Sequence, residues 1–338
     1  MNGQNFVGIR DIQMYVPATI QDSHYIAEKS GIPLETIEKK FGIKQRHKAG
    51  PNEHVSDMAI AAARKILVNI DPLELDLIVY CGSEYKDYYL FNLAAKVQNA
   101  IGAKNANAFE IHSLCSAGVL SLNVLKNMML GNPDINKVML ISSSKETDVV
   151  DLQNPRVRFM YNFGDGASAA LLVKGYEKNR ILSTHMITDG GFSEDVACYG
   201  VGSHNYYRTD TLDYPQRNLD VADPKSMKER LDPISLKNFV EVIHKAVEKS
   251  GYQDKDIKFV APIFMKRSIL NGILSQFDLT EENSYILEDY GHCQSADAYI
   301  SLIEASKLGR IKDGDLVVML GAGTGYTWAA TALRWGKA

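Results

Sequence analysis

The sequence predicts an α/β fold with covered sheets, and two observations support this prediction. The first is that short apolar runs rich in branched residues, typical of buried strands, alternate with longer segments of helical periodicity. The strand-like runs are 75–81, 137–141 and 315–320, and the helical segments are 55–70, 118–130, 236–249 and 295–308. Such alternation is characteristic of α/β proteins.

The second observation is that the two halves of the chain repeat the same order of features. Cys115 precedes a helical segment that ends at Gly131 and leads through a polar turn to a strand, and Cys293 precedes a similar segment that ends at Gly309. The two cysteines are separated by the same number of residues as the two glycines. We interpret the repeat as a duplicated α/β unit.

The duplication also predicts where chemistry occurs. Two such halves, expected at 1–175 and 176–338, would pack about a pseudo-twofold axis and bring equivalent helix starts together. Cys115 and His292 are then expected to face each other, so that the imidazole takes or shares the thiol proton. At a strand-to-helix junction, the helix dipole and free amides favour a thiolate and can hold an oxyanion. A core thiol and a turn histidine are the alternatives.

Composition restricts the function classes. The chain has 338 residues, is 45% hydrophobic and 23% charged, and carries a net charge of −4, so it can bury one large core or two smaller ones. We see neither an apolar run near the roughly 20 residues of a membrane span nor a signal peptide, and we predict a cytoplasmic location. The four scattered cysteines argue against zinc and disulfides, and we predict no metal or other cofactor. A slightly acidic balance makes nucleic acid an unexpected partner.

Several segments resemble the ketoacyl synthase III branch of the thiolase superfamily. They are 41–47, 51–53, 56–59, 108–118, 163–167 and 321–328. The resemblance extends over nearly the whole chain and implies two βαβαβαββ halves in a five-layered α-β-α-β-α fold, assembled as a homodimer. It implies that an acyl group is carried as a thioester on Cys115. It also implies an oxyanion hole formed by the backbone amides of Cys115 and Thr324, the latter in a glycine turn that allows close approach.

The chain departs from this family at the other two members of the Cys-His-Asn triad. Ile263 occupies the position of the usual His, and His292 occupies the position of the usual Asn. Thiolases have a Gly-His pair at the corresponding helix start, where the His activates the cysteine, so His292 is predicted to serve Cys115. A malonyl enolate commonly needs two donors at these positions, and losing one weakens decarboxylation by roughly a few kcal/mol. Malonyl condensation therefore does not follow from the resemblance.

Other residues have weaker predicted roles. Glu84 falls where hydroxymethylglutaryl-CoA synthases carry a catalytic Glu, so it is a candidate acid or base, with a solvated carboxylate as the alternative. The resemblance places Lys40 at a position where the family holds the adenine and phosphates of coenzyme A. It places Lys266 and Arg267 at the tunnel mouth, where basic residues could meet the phosphopantetheine or an acidic carrier protein, with a solvated basic pair as the alternative. It places Tyr85 and Tyr88, with two further aromatic residues, in the acyl pocket or in dimer packing.

These observations predict an acyltransferase or condensing enzyme of fatty-acyl or secondary metabolism. It would move an acyl group from a CoA or acyl-carrier thioester through acyl-Cys115 to an acceptor, with His292 activating the thiol and Glu84 as a second base. One alternative is a hydroxymethylglutaryl-CoA-synthase-like, non-decarboxylative Claisen enzyme that uses Glu84. The other is a non-catalytic subunit that forms a heterodimer with an active paralogue.

Overall fold

A computed structural model describes residues 5–204 and 217–337. In these ranges the strands are β1 (Val7–Tyr15), β2 (Thr19–Asp22), β3 (Gln45–Lys48), β4 (Leu77–Tyr80), β5 (Asn107–Glu110), β6 (Lys137–Ser144), β7 (Gly166–Lys174), β8 (Arg180–Thr188), β9 (Val196–Ala197), β10 (Asp220–Val221), β11 (Ile257–Pro262), β12 (Leu316–Gly323) and β13 (Thr327–Arg334). The α-helices are α1 (Ser23–Ser30), α2 (Val55–Ile66), α3 (Leu93–Ala100), α4 (Ala117–Gly131), α5 (Pro224–Lys249), α6 (Arg267–Ser275) and α7 (Asp297–Lys307).

Nine strands form one sheet whose two ends repeat the same topology. The strand order is β11-β12-β13-β8-β1-β7-β6-β4-β5. In the first half β4 is parallel to β6 and β6 is antiparallel to β7, and in the second half β11 is parallel to β12 and β12 is antiparallel to β13. The two sets of strands join where Gly8 pairs with Arg180. The sheet topology therefore contains the internal repeat seen in the sequence.

The helices complete five layers. Helices α2 and α3 cover the strands of the first half, α5 covers β8 and β13, and α4 and α7 lie between the two sets of strands and contact both. The first six residues of α4 are all buried, as expected for a helix enclosed by strands. The predicted α-β-α-β-α fold class is confirmed.

One long apolar segment of the chain lies in the middle layer of the fold. Leu114–Gly131 is long and apolar enough, by length and composition, to cross a membrane, and half of it is buried inside the protein. The segment comprises α4 and the turn that bears Cys115. Its packing against strands of both halves accounts for its composition.

Helix α5 begins well before the segment that the sequence predicts. It has 26 residues and contains Pro233, which interrupts the helical pattern in the sequence. Asp223 caps its first turn by accepting hydrogen bonds from the backbone amides of Lys225 and Ser226. The added N-terminal half of α5 supplies part of the wall of the cavity described below.

The structure corrects the pairing of the two halves by two residues. The 3-10 turns Leu114–Ser116 and Gln294–Ala296 lead directly into α4 and α7, and each turn begins with a residue at positive φ, 49° for Leu114 and 53° for Gln294. Cys115 therefore corresponds to Ser295 and not to Cys293. The match in the sequence aligned the C-terminal ends of the two helical segments. Those ends are not equivalent, because α4 has 15 residues and α7 has 11.

Candidate active site

Cys115 lies in the turn between β5 and α4. The backbone at Leu114 takes a left-handed conformation, and the thiol that follows is buried, with 9% of the residue exposed. Its Sγ lies 3.3 Å from Nε2 of His292. The duplicated arrangement thus brings together the two side chains that the sequence expected to face each other.

The backbone around His292 fixes the imidazole. Its amide donates to the carbonyl of Asn162 at 2.6 Å, and its own carbonyl accepts from Gly164 at 3.0 Å. The preceding Gly291 has a φ of 83°, and a Cβ there would lie 2.9 Å from the Cα of Gly164, so only glycine allows this approach. The ring of Phe163 packs edge-on against the imidazole, with centroids 4.8 Å apart.

Asp297, the first residue of α7, completes a chain of three polar side chains. Its Oδ2 lies 2.6 Å from Nδ1 of His292 and accepts from the amide of Phe264 at 2.7 Å, and its Oδ1 accepts from the amide of Cys293 at 2.7 Å. Burial opposes a charge on His292, but the Asp297 carboxylate and the Cys115 thiolate outweigh it and raise the pKa of the imidazole well above its usual value. The arrangement places His292 to take the proton of the Cys115 thiol.

The end of β12 and the glycine turn that follows it closely approach the nucleophile. A Cβ on Gly323 would lie 2.5 Å from the carbonyl oxygen of Ser113 and 3.3 Å from the amide nitrogen of Cys115. Thr324 follows directly and lines the cavity beside Cys115. Only a glycine at 323 lets this turn approach the backbone of Cys115 so closely, as an oxyanion hole shared by two segments requires.

Cys115 and His292 line a cavity of about 400 Å³. Its buried wall is mostly apolar and includes Phe163, Phe239, Ile263, Phe264 and Trp328. Its exposed lining residues, which mark the mouth, include Arg156, Arg158, Lys228, Asp232 and Lys266. The cavity is therefore an apolar passage from a basic mouth to the buried thiol.

Ile263 lies in this wall with 8% of its surface exposed. Its backbone amide donates to the carbonyl of Leu320 at 2.8 Å. The position thus presents an apolar side chain to the cavity.

The structure places Glu84 away from this cavity. The residue is exposed, its Oε1 lies 2.6 Å from Nδ1 of His112, and His112 also contacts Glu110 at 3.0 Å. The Glu110 and Glu84 carboxylates raise the pKa of His112 to about 9. Glu84 is not among the residues that line the cavity, so within this subunit its carboxylate serves an ion-pair cluster instead of the thiol.

The other predicted binding residues divide between the mouth and the surface. Lys266 lines the cavity, with its Nζ 5.8 Å from the centroid of the Phe41 ring. Arg267 instead donates to Glu288 at 2.8 Å. Lys40 is exposed in a π-helical turn outside the lining. Tyr85 and Tyr88, with 42% and 70% of their surfaces exposed, also lie outside it.

Sequence reasoning missed Asp297 and the basic residues Arg156 and Arg158. Asp297 is five residues after His292, a spacing that does not share one face of a regular helix. The non-helical residues before α7 remove that restriction. An acidic residue at the start of a helix that follows a candidate catalytic His was the available signal.

A buried thiol at the end of an apolar passage can hold an acyl group as a thioester. In a five-layered, duplicated α/β fold, this site defines the class of thiolase-like acyl-transferring enzymes. Comparisons with known proteins identify the family within this class.

The model of 3-oxoacyl-[acyl-carrier-protein] synthase III matches residues 109–190, and the model of its C-terminal part matches residues 247–335. The chain is 28% identical to the β-ketoacyl-[acyl-carrier-protein] synthase III of Clostridioides difficile strain 630, over 97% of this chain and 98% of the relative. The chain belongs to the 3-oxoacyl-[acyl-carrier-protein] synthase III family and is an acyltransferase.

Solved structures agree with this assignment. The 3-oxoacyl-[acyl-carrier-protein] synthase III from Aquifex aeolicus VF5 superposes with a TM-score of 0.83 at 25% identity, over 97% of this chain and all of that one. The priming β-ketosynthase of the R1128 polyketide pathway shares the fold, with a TM-score of 0.85 at 21% identity, over 98% of this chain and 97% of that one.

Proposed function

We propose that the protein transfers an acyl group from a CoA or acyl-carrier thioester through a covalent acyl-Cys115 intermediate. The observation that carries the proposal is the 3.3 Å distance between Sγ of Cys115 and Nε2 of His292, with Asp297 on the opposite ring nitrogen. His292 takes the thiol proton and the Cys115 thiolate attacks the donor carbonyl carbon. The backbone amides of Cys115 and Thr324 stabilise the oxyanion. Collapse expels the donor thiolate, which takes the proton from His292.

The mouth of the cavity supports a phosphopantetheine donor. Arg156 is paired with Asp220 and Lys228 with Asp232. Neither Arg158 nor Lys266 takes part in an ion pair within residues 5–204 and 217–337, which leaves both cations for a phosphate. Several relatives are named for an acyl carrier protein, and we infer that this enzyme accepts CoA or carrier-bound acyl groups in fatty-acid or polyketide biosynthesis.

We further infer that the enzyme works in the cytoplasm as a homodimer. The loop before α3 exposes Tyr88, Tyr89 and Leu90 by 70%, 72% and 94%. The loop follows β4, the strand next to the edge strand β5. Exposed apolar residues near an open sheet edge favour association with a second copy.

The Claisen alternative that needs Glu84 has no comparable support, because that carboxylate pairs with His112. A non-catalytic subunit is opposed by the Cys115–His292–Asp297 chain. The proposal therefore keeps acyl transfer and leaves Glu84 out of the mechanism.

Intact-protein mass spectrometry after incubation with acetyl-, hexanoyl- and dodecanoyl-CoA, and with the matching acyl-carrier thioesters, tests the proposal. We expect a mass gain of one acyl group with at least one donor and none in Cys115→Ala. Absence of any gain from every donor contradicts the proposal.

A further inference from the structure

The contacts of Asp297 determine where neutral His292 carries its proton. A carboxylate only accepts hydrogen bonds, and Asp297 already accepts from the amides of Cys293 and Phe264. Its 2.6 Å contact with Nδ1 of His292 therefore requires a proton on Nδ1. Acylation of Cys115 removes the thiolate charge that helps to raise the pKa of this imidazole. In the acyl-enzyme, neutral His292 presents an unprotonated Nε2 to the cavity, where it acts as a base.

Four other lining side chains offer few donors for an enolate oxygen. Ile263 and Phe163 are apolar, and Nδ2 of Asn162 already donates to the carbonyl of Phe264 at 3.1 Å. Tyr326 offers one hydroxyl, on a ring packed against Phe192 and Trp328. Decarboxylation of a malonyl thioester generates an enolate that needs preorganised donors. Among the described lining residues, the side chain beside Cys115 is that of His292, which acts as a base where the enolate would require a donor.

We propose that the acceptor is an amine or a hydroxyl compound, and that the enzyme does not decarboxylate malonyl thioesters. This inference rests on the proposed acyl-Cys115 intermediate. The acceptor N–H or O–H gives its proton to Nε2 of His292 while its lone pair attacks the acyl carbon. The C–S bond to Cys115 then breaks and the thiolate recovers the proton from His292.

Two further observations agree with a protic acceptor. The Oδ1 of Asn162 is buried without a hydrogen-bond partner among the described residues, on a side chain that lines the cavity beside Cys115. It is an acceptor suited to an N–H or O–H group. Asp297 also favours the imidazolium that forms during attack, as its effect on the His292 pKa indicates. Asp297 is therefore a positioning residue for the base.

Single-turnover deacylation tests the proposal. Hexanoyl-enzyme is prepared from hexanoyl-CoA, freed of excess donor, and mixed with either malonyl-CoA or hydroxylamine. We expect hydroxylamine to release hexanohydroxamate about 10²-fold or more faster than it cleaves hexanoyl-N-acetylcysteamine, and malonyl-CoA to release no CO₂.

The outcomes separate the two proposals. If the acyl-enzyme forms and malonyl-CoA consumes it with equimolar CO₂ and a 3-oxoacyl thioester, this inference is wrong and acyl-Cys115 stands. If hydroxylamine cleaves the acyl-enzyme no faster than it cleaves hexanoyl-N-acetylcysteamine, this inference is also wrong and acyl-Cys115 stands. If hexanoyl-CoA leaves the enzyme unmodified, another donor from the mass-spectrometry panel that does acylate it takes its place, and both proposals fail only if no donor forms an acyl-enzyme.

Asp297→Asn tests the positioning role. The variant amide can donate to Nδ1, which would move the His292 proton to Nε2, so we expect hydroxylamine-dependent deacylation to slow by about 10²-fold. The acid limb of the pH–rate profile should also move to lower pH, because the charge that raises the His292 pKa is gone. Asp254→Asn is the control, since it breaks an exposed pair in which Oδ2 lies 2.9 Å from Nδ1 of His244. A loss of rate with an unmoved acid limb would show that Asp297 has only a structural role.

Discussion

Asp297 organises the site at the scale of single residues. It is 1% exposed, and its two oxygens receive two backbone amides and one imidazole. These contacts compensate for burying its charge, and they fix the ring that faces Cys115. The reactivity of the thiol therefore depends on a residue that contacts neither the sulfur nor the cavity.

Replacing His292 with Ala tests the thiol activation. We expect acylation of Cys115 to slow by about 10²- to 10⁴-fold with the circular dichroism spectrum unchanged. Hydroxide must then remove the thiol proton, so the rate of the variant should rise with pH over a range in which the wild-type rate is level. Stopped-flow release of free CoA thiol measures both rates. An unchanged rate removes His292 from the mechanism.

Cys115 and His292 were predictable because each lies next to a recognisable feature, a strand-to-helix junction and a Gly-His pair. Asp297 was missed, because its distance to His292 depends on the path of the turn between them. The role of Ile263 in the cavity wall followed from its sequence position. The position of Glu84 beside His112 could not be predicted, because it depends on how the segments that follow β4 and β5 pack against each other.

At the scale of elements, the starts of α4 and α7 touch. The hydroxyl of Tyr299 donates to the carbonyl of Gly118 at 2.7 Å, and Oγ of Ser295 donates to the carbonyl of Leu114 at 2.9 Å. A Cβ on Gly118 would lie 2.3 Å from the carbonyl oxygen of Ser295. Glycine at 118 thus allows the close crossing that holds Cys115 near His292.

Gly118→Ala should force these two helix starts apart. We expect it to lower the free energy of unfolding by about 1–3 kcal/mol through overpacking, and to slow acylation of Cys115. Urea unfolding and the acylation assay measure the two effects.

Gly131→Ala is the matched control on the same helix, because a Cβ at Gly131 meets nothing within 4 Å. Its stability should be unchanged or slightly higher. Equal stability and acylation rates in the two variants would contradict the role of the crossing.

The sequence predicted the central elements better than the cavity wall. Buried strands and middle-layer helices have strong apolar patterns, so β4, β6, β12, α4 and α7 were located to within a few residues. The first half of α5 was missed because it contains Pro233 and borders the cavity, so it lacks the periodic apolar face of a core helix.

At the scale of the whole molecule, Glu146 links the two halves. This buried residue accepts hydrogen bonds from Ser144 in the first half and Gln294 in the second. Burial raises the pKa of its carboxyl group to about 7, although the Ser144 hydrogen bond partly opposes the shift. The junction between the halves therefore contains an acid that titrates near neutral pH.

Glu146 makes stability depend on pH. Its pKa is about 7 when folded and about 4.3 when unfolded, so the protonated group stabilises the fold at low pH. This contribution, of order 3 kcal/mol, is lost as pH rises from about 4.5 to 7.

Glu146→Gln should remove this dependence, so the difference in unfolding free energy between wild type and variant should change over that pH range. Urea unfolding at pH 4.5, 6 and 7.5 measures it. The exposed Glu177→Gln is the control and should follow the wild type. Parallel curves for wild type and Glu146→Gln would contradict the titration of Glu146 in this range.

The duplication was visible in the sequence because each half must bury the same set of strands and helices. Its register was displaced by two residues, because the helices of the two halves differ in length. How the halves meet, including the Gly8–Arg180 strand pair and the Glu146 contacts, depends on three-dimensional packing and had no sequence signal.

Peptide mapping of the acylated protein tests the central claim most directly. After reaction with a donor that adds one acyl mass, protease digestion at mildly acidic pH and tandem mass spectrometry identify which of the four cysteines carries the thioester. The account predicts the acyl group on Cys115, and no label on Cys81, Cys198 or Cys293. An acyl group on any of those three cysteines, with Cys115 unmodified, would contradict it.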